Sequence, residues 1–524
     1  MFDFLKYKPH SDACDFELTF SDKDYEKKIA DDVIELSECV DKNFEIVQHI
    51  LHTKVNGDIK IRWFNCRLSG EVRRGFLIWV DGLANSSLLN DYILRPLIEG
   101  SATLLPPDDG NIEYYTENII HQGAVAYEKN IRKLVLDINT GNASLFVDGC
   151  TNGASFDIKT WEHRGVDSPV NEAVVQGPHE GFNEVLRCNT ALIRKSVNSP
   201  NLIMETYFLG KQSKTPASLA YIDGTINPEL LKEIQKRLSS ISAAYVLSVY
   251  DVEKMLEERK FMPMPQMLTT ERPDKVTRAL IEGRAALCVN GSSQALILPS
   301  NITDIIASPE DAYLREPYSV FIKLVRIFAV LLSLLTPGIY LATTTFHTDA
   351  ILTDMLIAIN NSASNVPFSP LTEVLIMELS FELIKEAGVR IPGAIGSSLG
   401  IVGGLILGQS AVSAGLVSPI VIIIVSVCGI ASFAIPSYSL SFAFRISRFA
   451  YIFAGAFFGI AGIACALCVH LAMFLGTKSF GVPSCVPFSP STARNSLISA
   501  VFRSHSNITP PSYLKANKER EVNE

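Results

Sequence analysis

Six carboxylates inside one apolar stretch are the residues of this 524-residue sequence best placed to do chemistry. The stretch is "DAILTDMLIAINNSASNVPFSPLTEVLIMELSFELIKEAGVRIP" (349–392), with Asp349, Asp354, Glu373, Glu378, Glu382 and Glu386. Glu378, Glu382 and Glu386 fall four apart and so form one stripe of a helix. Carboxylates at membrane depth are costly and face a polar path or a partner. Two readings stay open. One is an interfacial amphipathic helix with a solvated acidic face. The other is a cation pathway lined by Glu373, Glu378 and Glu382, with Asp349 and Asp354 near its mouth.

A second carboxylate stands at a strand end in "LIWVDGLANSSLL" (77–89), where an acid can hold a metal or act as a base. Asp81 has a twin. "WVDGLANSSLLNDYILR" (79–95) and "YIDGTINPELLKEIQKR" (221–237) align without gaps at an offset of 142 residues, and "TGNASLFVDG" (140–149) matches "EGRAALCVNG" (282–291) at the same offset. Two matches at one shift mark an internal repeat of two α/β lobes. What the copies share is architectural. Gly82 and Gly224 give a permissive backbone after the strand, Asn85 and Asn227 fit helix N-caps, and Pro228 suits the first helical position. Leu88, Leu89, Tyr92 and Ile93 fall on one helix face. Asp81 and Asp223 are therefore expected to be turn residues that accept local backbone hydrogen bonds. Asp148-Gly149 and Asn290-Gly291 favour type I′ hairpin turns.

Other chemistry is thinly represented. The nine histidines are dispersed, with no HExxH; His163 and His179 sit in polar loops. Ser86-Ser87 lacks a GxSxG setting, and no Walker or Rossmann loop is present. The ten cysteines are scattered along the chain and indicate neither a zinc site nor a disulfide framework. No catalytic residue, metal or cofactor is expected, and no enzyme. A net charge of −9 argues against nucleic-acid binding.

The elements around these residues divide the chain unevenly. Mean hydropathy is +0.22, and most long apolar runs lie in 320–475. Four stretches are apolar enough to span a bilayer: 321–346, 395–416, 417–436 and 449–475. Counting 371–387 as a crossing gives five spans, and leaving it flat gives four. Lys323 and Arg326 favour a cytoplasmic entry. Gly400, Gly404 and Gly408 recur every fourth position, a spacing that lets helices pack closely in lipid. The N-terminus has no secretory signal. The expected order is an N-terminal arm (1–40), α/β lobe 1 (41–165), a connector (166–200), α/β lobe 2 (201–316), a transmembrane helical domain (317–490) and a basic tail (491–524). The fold class is thus a two-lobed, duplicated α/β soluble N-terminal domain followed by an all-α polytopic membrane domain. A ligand in the inter-lobe cleft is possible on such a plan but not required by it.

Specific strings give a family resemblance: "NVPFSP" (365–370), "ELIKEAGVRIP" (382–392), "IGSSLGIVGGLILGQSAVSAGLVSP" (395–419), "ASFAIPSY" (431–438), "RISRF" (445–449), "GPHEGFNEVLRCNTALIRK" (177–195) and "ERPDKV" (271–276). Over 40–490 the chain resembles the spore germination receptor A-subunit family of endospore-forming bacteria. It departs from the family pattern at His179, at "SFGVPSC" (479–485) and at Lys385. The resemblance implies an integral protein of the spore inner membrane with its N-terminal domain cytoplasmic. It implies a transporter-like B subunit and a lipoprotein C subunit as partners, homo-oligomerisation in lipid, and a germinant-gated cation channel. The alternatives it carries are a non-conducting scaffold or adaptor, and a sporulation-type relative involved in dipicolinic acid release.

Overall fold

The computed structural model describes residues 34–68, 71–99, 112–159, 169, 172, 176–259, 262–364, 366–390 and 394–485. His163, most of the N-terminal arm and the tail 491–524 lie outside the described residues.

The duplication is visible strand by strand. Lobe 1 comprises α1 (Val40–Ile50), β1 (Ile59–Leu68), β2 (Glu71–Val80), α2 (Ser86–Leu89), α3 (Arg95–Glu99), α4 (Glu113–Asn118), β3 (Val125–Glu128), α5 (Ile131–Asn139), β4 (Ala143–Val147) and β5 (Gly153–Phe156). Lobe 2 follows with α6 (Leu186–Ser196), β6 (Leu202–Leu209), β7 (Thr215–Ile222), α7 (Pro228–Ser239), α8 (Val249–Leu256), β8 (Leu268–Thr270), α9 (Pro273–Ile281), β9 (Ala285–Val289) and β10 (Ala295–Leu298). The two sheets share one order, β1-β2-β4-β5-β3 and β6-β7-β9-β10-β8, and their pairings are antiparallel. Period-2 alternation gives each sheet two apolar faces. In β2, Phe76, Ile78 and Val80 pack with α1 and α5, while Leu77 packs with α2, α3 and α4.

Three details differ from the sequence expectation. First, a π turn over Asn90–Leu94 joins α2 to α3. It shifts the register, so Leu89 and Ile93 are buried while Tyr92 is exposed. Second, Asp148–Asn152 and Asn290–Gln294 form loops of five residues rather than two-residue type I′ turns. Their first side chains cap the opening helix of each lobe: Asp148 Oδ1 accepts from the Val40 N–H at 3.1 Å, and Asn290 Oδ1 accepts from the Leu186 N–H at 3.2 Å. Third, α6 takes in lobe 2 the place that α1 takes in lobe 1. Asn43 clamps Ser37 through both its amide atoms, and Asn189 clamps Asn183 in the same way. This correspondence runs at 146 residues rather than 142, so a single-offset comparison passes over it.

One buried guanidinium locks the lobes together. Arg194 of α6 donates through Nε to Asp58 Oδ2 at 2.5 Å and through Nη2 to Asp58 Oδ1 at 2.9 Å. It also donates to Asn56 Oδ1 at 3.2 Å and to Asn139 Oδ1 at 3.3 Å. Asn56 in turn accepts from the Met204 N–H at 2.6 Å. Both ends of the Arg194–Asp58 pair are almost fully buried. Two charges so desolvated hold only in this bidentate geometry, and they fill the inter-lobe space at that point.

After α10 (Ile302–Ile306) the chain enters the helical domain: α11 (Glu316–Thr345), α12 (Thr353–Ala363), α13 (Pro370–Arg390), α14 (Ala394–Ser413), α15 (Pro419–Phe433) and α16 (Tyr438–Leu475). The contacts set the directions. Ser333 meets Arg448, Gly338 meets Tyr451, and Phe346 meets Gly459, so α11 and the first part of α16 run parallel. Glu378 pairs with Arg448 and Glu382 with Arg445, so α13 runs the other way.

Among the described residues two helices, Pro317–Thr345 and Tyr438–Leu475, are long and apolar enough to cross a membrane. The second is not one rod. Gly459 sits at φ 63°, ψ −151°, a region open to glycine alone. The chain reverses there. Ala454 comes back against Gly462, and the Phe444 and Tyr451 rings lie 6.3 and 6.0 Å from the His470 ring. The stretch 449–475, expected as one span, is the larger part of a helical hairpin. Neither the four-span nor the five-span count allowed for this reversal.

The return arm ends at the soluble lobes. Strands β11 (Lys478–Ser479) and β12 (Val482–Pro483) form a small ribbon beside lobe 2. Ser479 Oγ accepts from the Ser300 N–H at 3.3 Å, the Ser484 carbonyl accepts from the Ile302 N–H at 2.8 Å, and the Phe480 ring lies under Arg237 at 4.7 Å. At the entry to the helical domain Arg326 is paired with Asp311 at 2.7 Å.

In lobe 2, burial and the neighbouring Glu257 push the Glu253 carboxyl up to about 7, against a smaller opposing effect of Lys254. A raised carboxyl binds its proton more tightly folded than unfolded, so stability falls as pH rises from about 4.5 to about 7. Glu253→Gln should therefore stabilise the full-length protein at pH 8 by about 1–2 kcal/mol and have little effect below pH 4.5. Thermal unfolding at the two pH values measures this; equal shifts at both would show that ionisation is not the cause.

Candidate functional site

The site begins with a missing hydrogen bond. Pro337 lies inside α11 and has no N–H to give the Ser333 carbonyl four residues back. Arg448 of α16 supplies the donor, with its Nε 2.7 Å from that oxygen. The Cys428 thiol of α15 donates to the same oxygen at 3.0 Å. Arg448 also donates through Nη2 to Ser333 Oγ at 2.9 Å and through Nη1 to Glu378 Oε2 at 2.6 Å. Arg448 and Glu378 are 1% and 0% exposed. One guanidinium thus ties together α11, α13 and α16, with α15 on the shared carbonyl.

One turn further along α13, Glu382 is bonded to Arg445 through both its oxygens. Arg445 and Arg448 are three apart on α16 while Glu378 and Glu382 are four apart on α13, so both pairs meet across antiparallel helices. Near the other end of α13, Glu373 is 1% exposed and accepts from the Ser418 N–H at 2.8 Å. Ser418 is the N-cap of α15, where a carboxylate meets the positive end of the helix dipole. Lys385 contacts Ser432 Oγ and lies 4.3 Å over the Phe433 ring.

Of the five carboxylates expected at a cation pathway, Glu378 and Glu382 share one side of α13, while Glu373 lies on another face nearer its start; all three meet partners inside the helical domain. Asp349 and Asp354 stand exposed, on and just beyond the turn that follows α11. The picture of a helix with a solvated acidic face does not describe α13. Of its stripe, Glu378 is fully buried and Glu382 is paired, while Glu386 is exposed.

Gly404 and Gly408 make no close helix contact within the chain. A Cβ at Gly404 would meet open space, and one at Gly408 would make only ordinary contact with Ile422; Gly400 lies on the same helix, α14. Close approach occurs instead where Gly338 of α11 meets Gly455 of α16. A Cβ on Gly455 would come within 2.3 Å of the Gly338 carbonyl oxygen. The single C-x-x-C, Cys465 and Cys468, lies exposed on the return arm of α16, and no grouping suited to a metal occurs among the described residues.

In the lobes, Gly82 and Gly224 adopt φ of 93° and 80°, and the turn carboxylates point outward to other elements. Asp81 pairs with Arg187 of α6 at 3.2 Å, and Asp223 faces His52 at 3.7 Å. This replaces the expected local backbone acceptance with contacts between elements. The "ERPDK" residues form a third cluster. Lys275 and the Glu271 N–H both donate to Glu172, at 3.1 and 2.9 Å. Asp274 accepts from Arg272 at 2.7 and 3.0 Å and from the Tyr313 hydroxyl at 2.6 Å. Burial alone would raise the Asp274 carboxyl. Hydrogen bonds from Arg272 and Tyr313, together with the Arg272 charge, outweigh it and hold the group below its ordinary value.

Sequence reasoning left Arg448, Ser333 and Cys428 out of the site. The available signal was two arginines three apart in the otherwise apolar α16, matching two glutamates four apart in α13.

A family model described as "Bacillus/Clostridium GerA spore germination protein" matches residues 45–510. The spore germination protein KA of Bacillus subtilis is 34% identical over 427 residues, 82% of this chain and 78% of that protein. Spore germination protein B1 of the same organism is 36% identical over 417 residues, 79% and 85%. The uncharacterized membrane protein YfkQ, also from Bacillus subtilis, is 35% identical over 440 residues, 84% of each chain. The crystal structure of the N-terminal domain of the A subunit of the Bacillus megaterium spore germinant receptor GerK3 is similar at 27% identity with a TM-score of 0.40, covering 51% of this chain and 96% of that one.

Arg448→Leu should leave the Glu378 charge buried and unpaired and destabilise the full-length protein by about 3–5 kcal/mol. The double variant Arg448→Leu/Glu378→Leu should recover most of that loss. Thermal stability of the purified protein compares them, and a double variant as unstable as the single one would remove the pair as the cause. Asp81→Asn, which weakens a half-exposed pair, should cost less than about 1 kcal/mol and leave germination near normal; loss of germination in a stably accumulated Asp81→Asn protein would restore a chemical role to Asp81.

Proposed function

Because the chain belongs to the Bacillus/Clostridium GerA spore germination protein family, we propose that it is the A subunit of a spore nutrient germinant receptor and contributes a germinant-gated cation pathway. Its role in spore germination follows from family membership. The finer reading places it in the spore inner membrane with its lobes on the cytoplasmic side. A transporter-like B subunit and a lipoprotein C subunit are its partners, and it assembles with further copies of itself.

The observation that carries the cation reading is the set of carboxylates on α13, two of them buried and the third paired with an arginine. Glu373, Glu378 and Glu382 lie within an apolar helical domain where a purely structural bundle has no need of charge. In this structure Arg448 and Arg445 neutralise two of them, as expected of a closed state. Conduction then requires the arginines to withdraw and expose a negative path. The soluble lobes are positioned to drive that movement. They hold both the start of α11, through Arg326–Asp311, and the end of α16, through the ribbon at 478–483.

The same pairing supports a second reading, a non-conducting adaptor in which the arginines never leave. Conductance of the subunit reconstituted with its partners separates the two. On the channel reading, Glu378→Gln with Glu382→Gln changes cation conductance by about tenfold, equivalent to about 1.4 kcal/mol at the site. Unchanged conductance would move the pathway off α13, and the absence of any germinant-dependent conductance in the intact complex would favour the adaptor.

A further inference from the structure

The two arms of the α16 hairpin line an open-sided cavity of about 770 Å3. Small residues keep it open: Ala450 and Ala454 on the outgoing arm, Ala461, Gly462 and Ala466 on the return arm. Its end nearest the lobes is capped by Met262, Pro263 and Met264, from the Pro-rich junction before β8. The walls are apolar almost throughout. The exception that matters is His470, half-buried on the return arm, whose imidazole makes no hydrogen bond to any described residue. Phe444 and Tyr451 flank that ring and fix its position.

We propose that this cavity binds a single-chain amphiphile, with its hydrocarbon between the arms of α16 and a hydroxyl or carboxyl head group hydrogen-bonded to His470. The volume lies in the range of small-molecule sites, about 300–1,000 Å3, which combine apolar walls with a few placed polar groups. Exposed Phe457 and Phe458 beside the Gly459 turn mark the open end, away from the methionine cap. The cap gives the site a mechanical consequence. Methionine side chains adapt to what they touch, and Met264 belongs to the same continuous core as Val276 and Leu280 of α9. Occupancy of the hairpin is therefore felt in lobe 2. The inference rests on the helical domain lying in a bilayer.

The test uses full-length protein in lipid nanodiscs with a diazirine-bearing C16 fatty acid as the probe. Sites labelled by light are mapped by peptide mass spectrometry, and a phospholipid carrying the same diazirine is run in parallel. Expected is saturable labelling within 447–473 and at Met262–Met264. Ala461→Trp and Ala450→Trp, each filling the cavity from a different arm, should abolish it. His470→Leu should weaken fatty-acid binding by about three- to tenfold, the worth of one hydrogen bond, and leave binding of a diazirine alkane without a head group unchanged. Preferential labelling by the fatty acid would support the site as proposed; preferential labelling by the phospholipid would overturn the single-chain assignment. Non-saturable labelling spread over all exposed helix faces, or labelling that survives both tryptophan variants, would overturn the site. So would crosslinks within 447–473 joining two copies of the chain. Carbonate extraction of the same membranes is scored alongside, so that failure of the site in a membrane-embedded protein is distinguished from failure of the bilayer reading.

Discussion

A charge removed from water must find a partner, and the helical domain is organised around that requirement. Glu378 is completely buried, and its charge is met by Arg448, which reaches it only if α13 and α16 lie antiparallel at that level. Arg448 has a second obligation, the carbonyl that Pro337 leaves without a donor. Because one guanidinium serves both, the placements of α11 and α13 are not independent. A shift of either helix leaves a buried charge or a buried carbonyl unpaired, each costing several kcal/mol.

The glycine contact beside the node explains why the helices can come so close. Gly338 follows Pro337 directly, and Gly455 faces it across the interface. A side chain at either position would drive α11 and α16 apart and pull Arg448 out of reach of Ser333. Helix packing and charge pairing therefore depend on the same few residues, and the small-residue stripe of α14 plays no part in this contact within one chain.

The lobes follow a parallel logic. Arg194 plays in the soluble region the role that Arg448 plays among the helices: a desolvated guanidinium satisfied from several elements at once. It makes the two copies of the repeat one body rather than two beads on a linker. That body then holds the helical domain by three ties: Tyr313 to Asp274, Arg326 to Asp311, and the 478–483 ribbon beside lobe 2. These ties reach α11 and α16, the two helices that meet at the node.

Much of this was legible in the residues alone. Strand periodicity, the glycines after β2 and β7, the Asn caps and the 142-residue repeat are local features, set by backbone sterics and by side chains within a few positions of one another. The partition into a charged half and an apolar half is likewise written in composition. What the sequence could not decide were long-range matches. Gly459 reverses the chain, yet it stands in an apolar run beside Gly455 and Gly462, and only its positive φ distinguishes it. The kinship of α6 with α1 was hidden by a four-residue change of offset. The acidic stripe of α13 pointed to buried polarity, but its meaning depended on arginines more than sixty residues away. Local chemistry names the residues that need partners; only packing, which places distant segments within 3 Å of each other, decides which partner each one has.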